Sequence, residues 1–172
     1  ANFSGITQLH TGLEIETTYR PMDKLSLRGM ISIGNWVYDG DIESTVFDDS
    51  QQQVGSSTLF VDGVKVGNSA QTTAFFSADY NITRALKVDL GWNYYGNLHA
   101  DFAPEDTEFL AVDNKGAVKL PNYNLMDAGL TYRINFKESS KAVKFRLNVN
   151  NLFDTTYIAE SNTNIHASDN AS

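Results

Sequence analysis

The sequence predicts an all-β chain: an antiparallel up-and-down meander of about six long strands, with one dry face and one wet face. Three observations predict it. Apolar and polar residues alternate with period two over long stretches. The connections between those stretches are alternately short and long. Aromatic residues gather near both ends of the stretches.

The first stretch runs from about Gln8 to Tyr19, with Leu13, Ile15, Thr17 and Tyr19 on one side and Glu14, Glu16 and Thr18 on the other. The second, Leu25 to Tyr38, sets Leu25, Leu27, Ile31 and Ile33 against Ser26, Arg28, Met30 and Ser32. The third, Gln71 to Tyr80, puts Thr72, Ala74, Phe76, Ala78 and Tyr80 together. The fourth alternates Leu86, Val88, Leu90, Trp92 and Tyr94 with Lys87, Asp89, Gly91, Asn93 and Tyr95. The fifth spans Asn124 to Phe136 and groups Met126, Ala128, Leu130, Tyr132, Ile134 and Phe136. The sixth, Val143 to about Asn151, sets Val143, Phe145, Leu147 and Val149 against Lys144, Arg146, Asn148 and Asn150. On a helix, at 100° per residue, these apolar positions would scatter around the cylinder.

Polar turns close the first, third and fifth connections: Arg20 to Lys24, Asn81 to Ala85, and Lys137 to Ala142. The second and fourth are long, about Asp39 to Ala70 and Gly96 to Tyr123, and a third long segment starts near Ala159. All short turns then share one end of the sheet and all long loops the other. Outer-membrane barrels have this asymmetry, with short periplasmic turns and long extracellular loops. Tyr19, Tyr80, Tyr132 and Phe136 fall near the short-turn end; Trp36, Tyr38, Trp92, Tyr94 and Tyr95 fall near the other. Two such bands are what membrane-interface girdles require. Trp36 and Tyr38 are out of phase with Ile31 and Ile33. A bulge at Gly34-Asn35 would restore the phase; without it those rings face the lumen.

A soluble β-sandwich also alternates, but its strands usually run about 5–6 residues, whereas an outer membrane needs about 9–11. The alternating runs here are of the longer kind. Six strands are too few for a closed transmembrane barrel, whose smallest single-chain examples have about eight. Open edges in lipid would leave backbone N–H and C=O groups unpaired, at several kcal/mol each. The polar segment Ser161 to Ser172 reads as a loop cut before its returning strand. The expectation is one partial outer-membrane barrel over residues 1–172, with a plug domain and a final strand missing and any export signal lying upstream.

Composition narrows the function classes. With no Cys, disulfide scaffolds and thiolate metal sites are excluded. A net charge of −8 argues against nucleic acid as a partner. No apolar run approaches the roughly 18–20 residues of a transmembrane helix.

The segment from Lys144 through Asn151-Leu152-Phe153-Asp154 to Tyr157 resembles the penultimate-strand signature of TonB-dependent receptors, and Pro121 to Tyr132 is similar to the strand before it. The likeness is specific over about residues 120 to 158 and a matter of pattern elsewhere. It implies a barrel of about 22 strands around a plug. It also implies import of a scarce ligand such as an iron chelate, cobalamin or a glycan, driven through TonB. The TonB box and plug are absent, so this segment alone is expected to transport nothing. Its implied partners are outer-membrane lipid, the remaining barrel and the plug, with TonB reached only through the absent N-terminal parts. No cofactor is expected. The residues themselves give a plainer reading of the motif: alternation breaks after Val149, and Asn150, Asn151 and Asp154 can bond nearby backbone in a local bulge or bend.

Other candidates weigh less. Asp39-Gly40-Asp41-Ile42-Glu43 with Asp48 and Asp49 would suit Ca²⁺ only loosely, because a Ser44 stands where the Ca²⁺ loop needs Gly; a solvated acidic loop is the reading preferred. His10, His99 and His166 lack metal-ligand spacing. Val61 to Gly67 reads as a small hairpin around Asp62-Gly63 that stiffens the first long loop. Phe102 and Phe109 would stack on a ligand or pack the second loop. Glu14, Glu16, Arg28, Lys87, Asp89, Lys144 and Arg146 are expected to line the lumen. Asn-x-Ser/Thr triplets at Asn2, Asn81 and Asn170 carry no weight as glycosylation acceptors in a bacterial outer-membrane protein. No nucleophile elbow, phosphate loop or Ser-His-Asp pattern is present, so an enzyme is not expected. The competing functions are a soluble carbohydrate-binding sandwich and a porin or adhesin barrel without TonB dependence.

Overall fold

A computed structural model describes residues 2–3, 6–47, 50–101, 107–136 and 141–162. Asp48, Asp49, Phe102, His166, Asn170, the turn 137–140 and the tail 163–172 lie outside the described residues.

The strands, in chain order, are β1 (Asn2–Phe3), β2 (Gln8–Met22), β3 (Leu25–Tyr38), β4 (Ile42–Phe47), β5 (Gln53–Leu59), β6 (Thr72–Asn81), β7 (Leu86–Gly96), β8 (Tyr123–Asn135) and β9 (Ala142–Val149), with one 3₁₀ turn at Thr107–Leu110. Six of them form one antiparallel sheet in the order β2-β3-β6-β7-β8-β9, and β1, β4 and β5 form a second, three-stranded sheet. The large sheet is an up-and-down meander, open at β2 and β9.

Registers carry the sequence alternation across all six strands of the large sheet. Leu13 faces Ile33 and Ile15 faces Ile31. Leu27 faces Ala78, which faces Leu90, which faces Ala128, which faces Val149. One-residue slips would turn every such side chain over, so a shared face fixes the register. Each cross-strand apolar pair adds about 0.2–1 kcal/mol over Ala–Ala.

The first turn differs from expectation. β2 continues through Arg20, Pro21 and Met22, with an irregularity between Tyr19 and Met22, and the reversal is confined to Asp23-Lys24. Pro21 has no N–H to donate, and an edge strand at a bulge is where a sheet accepts it.

The buried apolar residues lie in the long connections. Ile42, Leu59, Val61, Val64 and Phe109 form one cluster, with Tyr38 and Ala117 packed on it. Leu98, Ala100 and Leu120 form another, flanked by Ala70, Val118 and Tyr123. The strand pair of the first long loop is β4–β5 rather than a hairpin at Asp62-Gly63. Asp62-Gly63 instead occupies a tight turn, closed by the Val64 N–H donating to the Val61 carbonyl at 2.9 Å. Gly63 has φ 74°, and no non-glycine positive φ falls at Asp62. That pattern suits a type II turn and not the paired-strand type I′ turn. Tyr38 holds it from below: the Gly63 N–H donates to the Tyr38 carbonyl at 3.0 Å, and the Tyr38 N–H donates to Val64 at 2.9 Å.

Candidate functional site

The large sheet has two unlike faces. On one, Leu13, Ile15, Ile31, Ile33, Phe76, Leu90, Leu130, Phe145, Leu147 and Val149 are all exposed, Leu13 at 64% and Leu147 at 63%. Among the described residues, no second sheet packs against them. Tyr19, Tyr80 and Tyr132 stand on this face toward the short-turn end, where Tyr80 pairs with Leu25 and Tyr132 with Leu86. Trp92 and Tyr94 stand on it toward the other end, their rings stacked at 6.3 Å.

The opposite face is polar and ion-paired. Asp79 of β6 meets Arg28 of β3 at 3.4 Å and also pairs with Lys87 of β7. Arg146 of β9 grips Asp89 of β7 with two parallel hydrogen bonds of 2.9 Å and donates a third to the Thr131 hydroxyl at 3.0 Å. Gly129 makes room for that fork: a Cβ there would collide with the Asp89 carboxylate and the Arg146 guanidinium. The two-pronged geometry is the strong form of the Arg–carboxylate pair.

Trp36, Tyr38 and Tyr95 belong to this polar face, not to the outer girdle. β2 and β3 pair in unbroken register from Gln8↔Tyr38 to Tyr19↔Leu27, so no bulge at Gly34-Asn35 turns the rings outward. Trp36 instead stacks on His10 at 5.0 Å. Gly34 admits its indole, since a Cβ at that position would press on Trp36 Nε1. Above the point where β6 ends, Gln71 takes over the pairing of β3. Its side-chain oxygen accepts from the Trp36 N–H at 3.0 Å and its amide donates to the Trp36 carbonyl at 2.9 Å. Gln71 is 1% exposed, and this side-chain pairing is its satisfaction.

The Asn-Leu-Phe-Asp motif forms a bend just past the end of β9. Asn151 and Asp154 adopt φ of 50° and 51°, a region that Asn and Asp tolerate better than other L-residues. The Asn151 N–H donates to Asp127 at 2.8 Å, and the Leu152 N–H donates to the Met126 carbonyl at 2.6 Å, which locks the bend onto β8. The Asn151 side chain clasps Thr155 from both sides, accepting its N–H at 2.9 Å and donating to its carbonyl at 3.1 Å. The Asp154 N–H closes the turn on the Asn151 carbonyl at 2.9 Å. Leu152 and Phe153 are exposed, Phe153 at 71%. Tyr157 then stacks on Tyr123 at 4.4 Å, and Tyr123 on Tyr95 at 4.8 Å.

Past the motif the chain reaches the loops. Asn68 accepts the Ser161 N–H at 2.9 Å and donates to Asn162 at 2.9 Å, while the Asp101 N–H donates to the Ser161 carbonyl at 2.8 Å. Sequence reasoning missed Asn68 and Gln71, because each acts on residues far away in the chain. Nothing in its local pattern marks either one.

The remaining candidates resolve simply. Asp41 accepts the N–H groups of Val61 and Asp62 at 2.9 and 3.1 Å, so its carboxylate caps a turn. Its neighbour Ile42 is buried rather than solvated. Phe109 is wholly buried and packs the loop. His99 is buried, its Nδ1 without a hydrogen-bond partner. Burial holds its pKa below the ordinary histidine value, the charges of Lys65 and Lys119 push the same way, and a backbone bond to Asn97 opposes them. Among the described residues, no group of three or more His, Cys, Asp or Glu side chains is placed to hold a metal ion.

Compared with known proteins, residues 7–152 match the family model of the TonB dependent receptor-like β-barrel. No curated protein and no solved structure matched the chain. The match covers most of the sequence, and the open six-stranded meander is what a piece of such a wall looks like. This chain belongs to the TonB-dependent receptor β-barrel family, a family of outer-membrane transporters.

Proposed function

We propose that residues 1–172 are a wall segment of an outer-membrane receptor that imports a scarce ligand (an iron chelate, cobalamin or a glycan) with energy supplied through TonB. The observation that carries this reading is the pair of faces on one sheet. An apolar face left exposed across six strands needs lipid as its solvent, and a charged face behind it needs a wet lumen. Tyr19, Tyr80 and Tyr132 serve as interface aromatics at the periplasmic side, and Trp92 and Tyr94 at the extracellular side. Rings with an apolar body and a polar tip partition to that depth. The segment's partners are outer-membrane lipid, the rest of the barrel through the edges of β2 and β9, and a plug against the polar face. TonB acts through parts of the receptor that carry the TonB box. Asn151, Leu152, Phe153, Asp154 and Tyr157 act structurally, bending the chain after β9 and holding it against β8.

A soluble sandwich would bury this apolar face under a second sheet, and the described residues put none there. The test is detergent dependence. Far-UV circular dichroism and sedimentation of the chain should show aggregation or disorder in plain buffer and β signal in micelles. A monodisperse protein that unfolds cooperatively in buffer would sink the wall reading.

A further inference from the structure

Two kinds of fastening hold the loop layer. The two long loops are joined by apolar packing. Phe109 of the second is wholly buried among Ile42, Leu59, Val61 and Val64 of the first, and Leu98, Ala100 and Leu120 of the second pack on Ala70. The segment after the Asn-Leu-Phe-Asp bend is fastened otherwise. Residues 156–160 are exposed and carry no regular structure. They run between two pins. At the first, Asn151 clasps Thr155. At the second, the Ser161 N–H donates to Asn68 Oδ1 and Asn68 Nδ2 donates to Asn162 Oδ1, each at 2.9 Å. The Asp101 N–H adds a bond of 2.8 Å to the Ser161 carbonyl. Asn68 spends its own N–H on the His99 carbonyl at 2.9 Å and has φ 53°. Its backbone therefore belongs to the loops, and only its side chain holds the segment. Between the pins Tyr157 lies on Tyr123, which lies on Tyr95. Tyr95 and Tyr123 are paired across β7 and β8, on the polar face.

We propose that residues 156–161 form a strap that opens and closes over the Tyr95–Tyr123 surface, with Asn68 as its catch, while the two loops beneath stay packed. Hydrogen bonds at a wet surface exchange for bonds to water at small net cost, whereas a buried ring leaves an apolar cluster only at large cost. The strap is thus the part of the loop layer that opens first, as a local unit. Opening lifts Tyr157 and bares the face of Tyr123. The inference concerns how the chain covers its own aromatic surface, and it holds whichever ligand the receptor imports.

The experiment uses the full-length receptor in micelles, with residue-resolved amide hydrogen exchange and hydroxyl-radical footprinting. Asn68→Gly keeps the positive φ and the N–H given to His99, and removes only the catch. It should speed exchange at the Ser161 and Asp101 amides about tenfold, the factor expected from losing two hydrogen bonds of modest net worth. Oxidation of Tyr123 should rise with it. The Phe60 and Leu120 amides, which donate to Phe109 and Leu98, report the packed loops and should exchange at the unaltered rate. Ser161→Pro attacks the pin from the strap's side, by removing the N–H that Asn68 accepts. It should speed Asp101 exchange and Tyr123 oxidation in the same way, and it serves where Asn68→Gly does not assemble. Heat-modifiable migration on gels reports the barrel separately. Unchanged exchange at Asp101 with an unchanged Tyr123 would show that Asn68 is no catch. Faster exchange at Phe60 and Leu120 together with Asp101 would show that the segment is one body with the loops. Either result overturns the strap.

Discussion

The wall and the loop layer treat apolar side chains in opposite ways. In the wall, Leu13, Leu90, Phe145 and Leu147 stand exposed on a regular sheet. In the loops, Leu59, Val61, Leu98 and Phe109 are buried in two small clusters. The difference fits the two solvents that the proposed wall and its loops would meet. Loops that project into water must exclude it from their own interior, and full burial of such a side chain contributes about 1.5–3 kcal/mol. A lipid-facing wall gains nothing from an internal dry layer, because acyl chains already solvate its outer side. Its backbone groups must be paired strand to strand, and the six-stranded ladder pairs each strand with its neighbours and leaves β2 and β9 as its open edges. A chain with an open, hydrophobic sheet and a compact cap is therefore consistent at both ends.

The sharpest way to break that comparison is Phe109→Ala in the receptor. It removes a wholly buried ring from the larger loop cluster and should cost the loop layer about 3–5 kcal/mol. Protease nicking in the loops should rise steeply while the wall keeps its heat-modifiable migration. If the wall is lost with the loops, the two regions are one cooperative unit and the comparison fails.

Next in size is a charge on the outer face. Leu90 lies in the middle of β7 and is 45% exposed. Leu90→Arg should destabilise the folded barrel by about 2–4 kcal/mol in a bilayer, the range for Arg at the midplane, and far less in water. Arg at the inward neighbour Asn93 should cost much less. Urea titration of liposome-inserted receptor measures both. Equal costs at the two positions would mean that β7 does not separate lipid from lumen.

The same contrast explains what the sequence made legible. Wall strands were readable because period two is local: Leu86 to Tyr94 state their face residue by residue, and the observed β7 follows them. The phase of Trp36 was not readable from alternation, since only the β2–β3 register says whether a bulge intervenes. The loop layer was less legible still. The Gln53–Leu59 strand is mostly small and polar, and it becomes a strand by pairing with β4. Phe109 has no periodic partners at all and finds its place through contacts from Ile42 to Val64. For the motif, Asn151 and Asp154 advertised a bend by residue type. Their anchoring on Asp127 and Thr155, and the link from Ser161 to Asn68, needed the three-dimensional arrangement.

The smallest expected effect separates the regions by pH. His99 sits buried in the loop layer, facing Lys65 and Lys119, with its pKa depressed mainly by burial. An opened layer would give the imidazole its ordinary pKa of about 6.5. Below that pH the open form binds a proton that the closed form resists, so stability falls as pH drops and levels off beneath the depressed pKa. Above it the histidine is neutral in both forms, and the contribution is fully present. Loop nicking should therefore quicken as pH is lowered through about 6.5, with the β signal of the wall unchanged. His99→Phe should flatten that response. A pH dependence that survives the substitution would assign it to other groups and would leave His99 as packing alone.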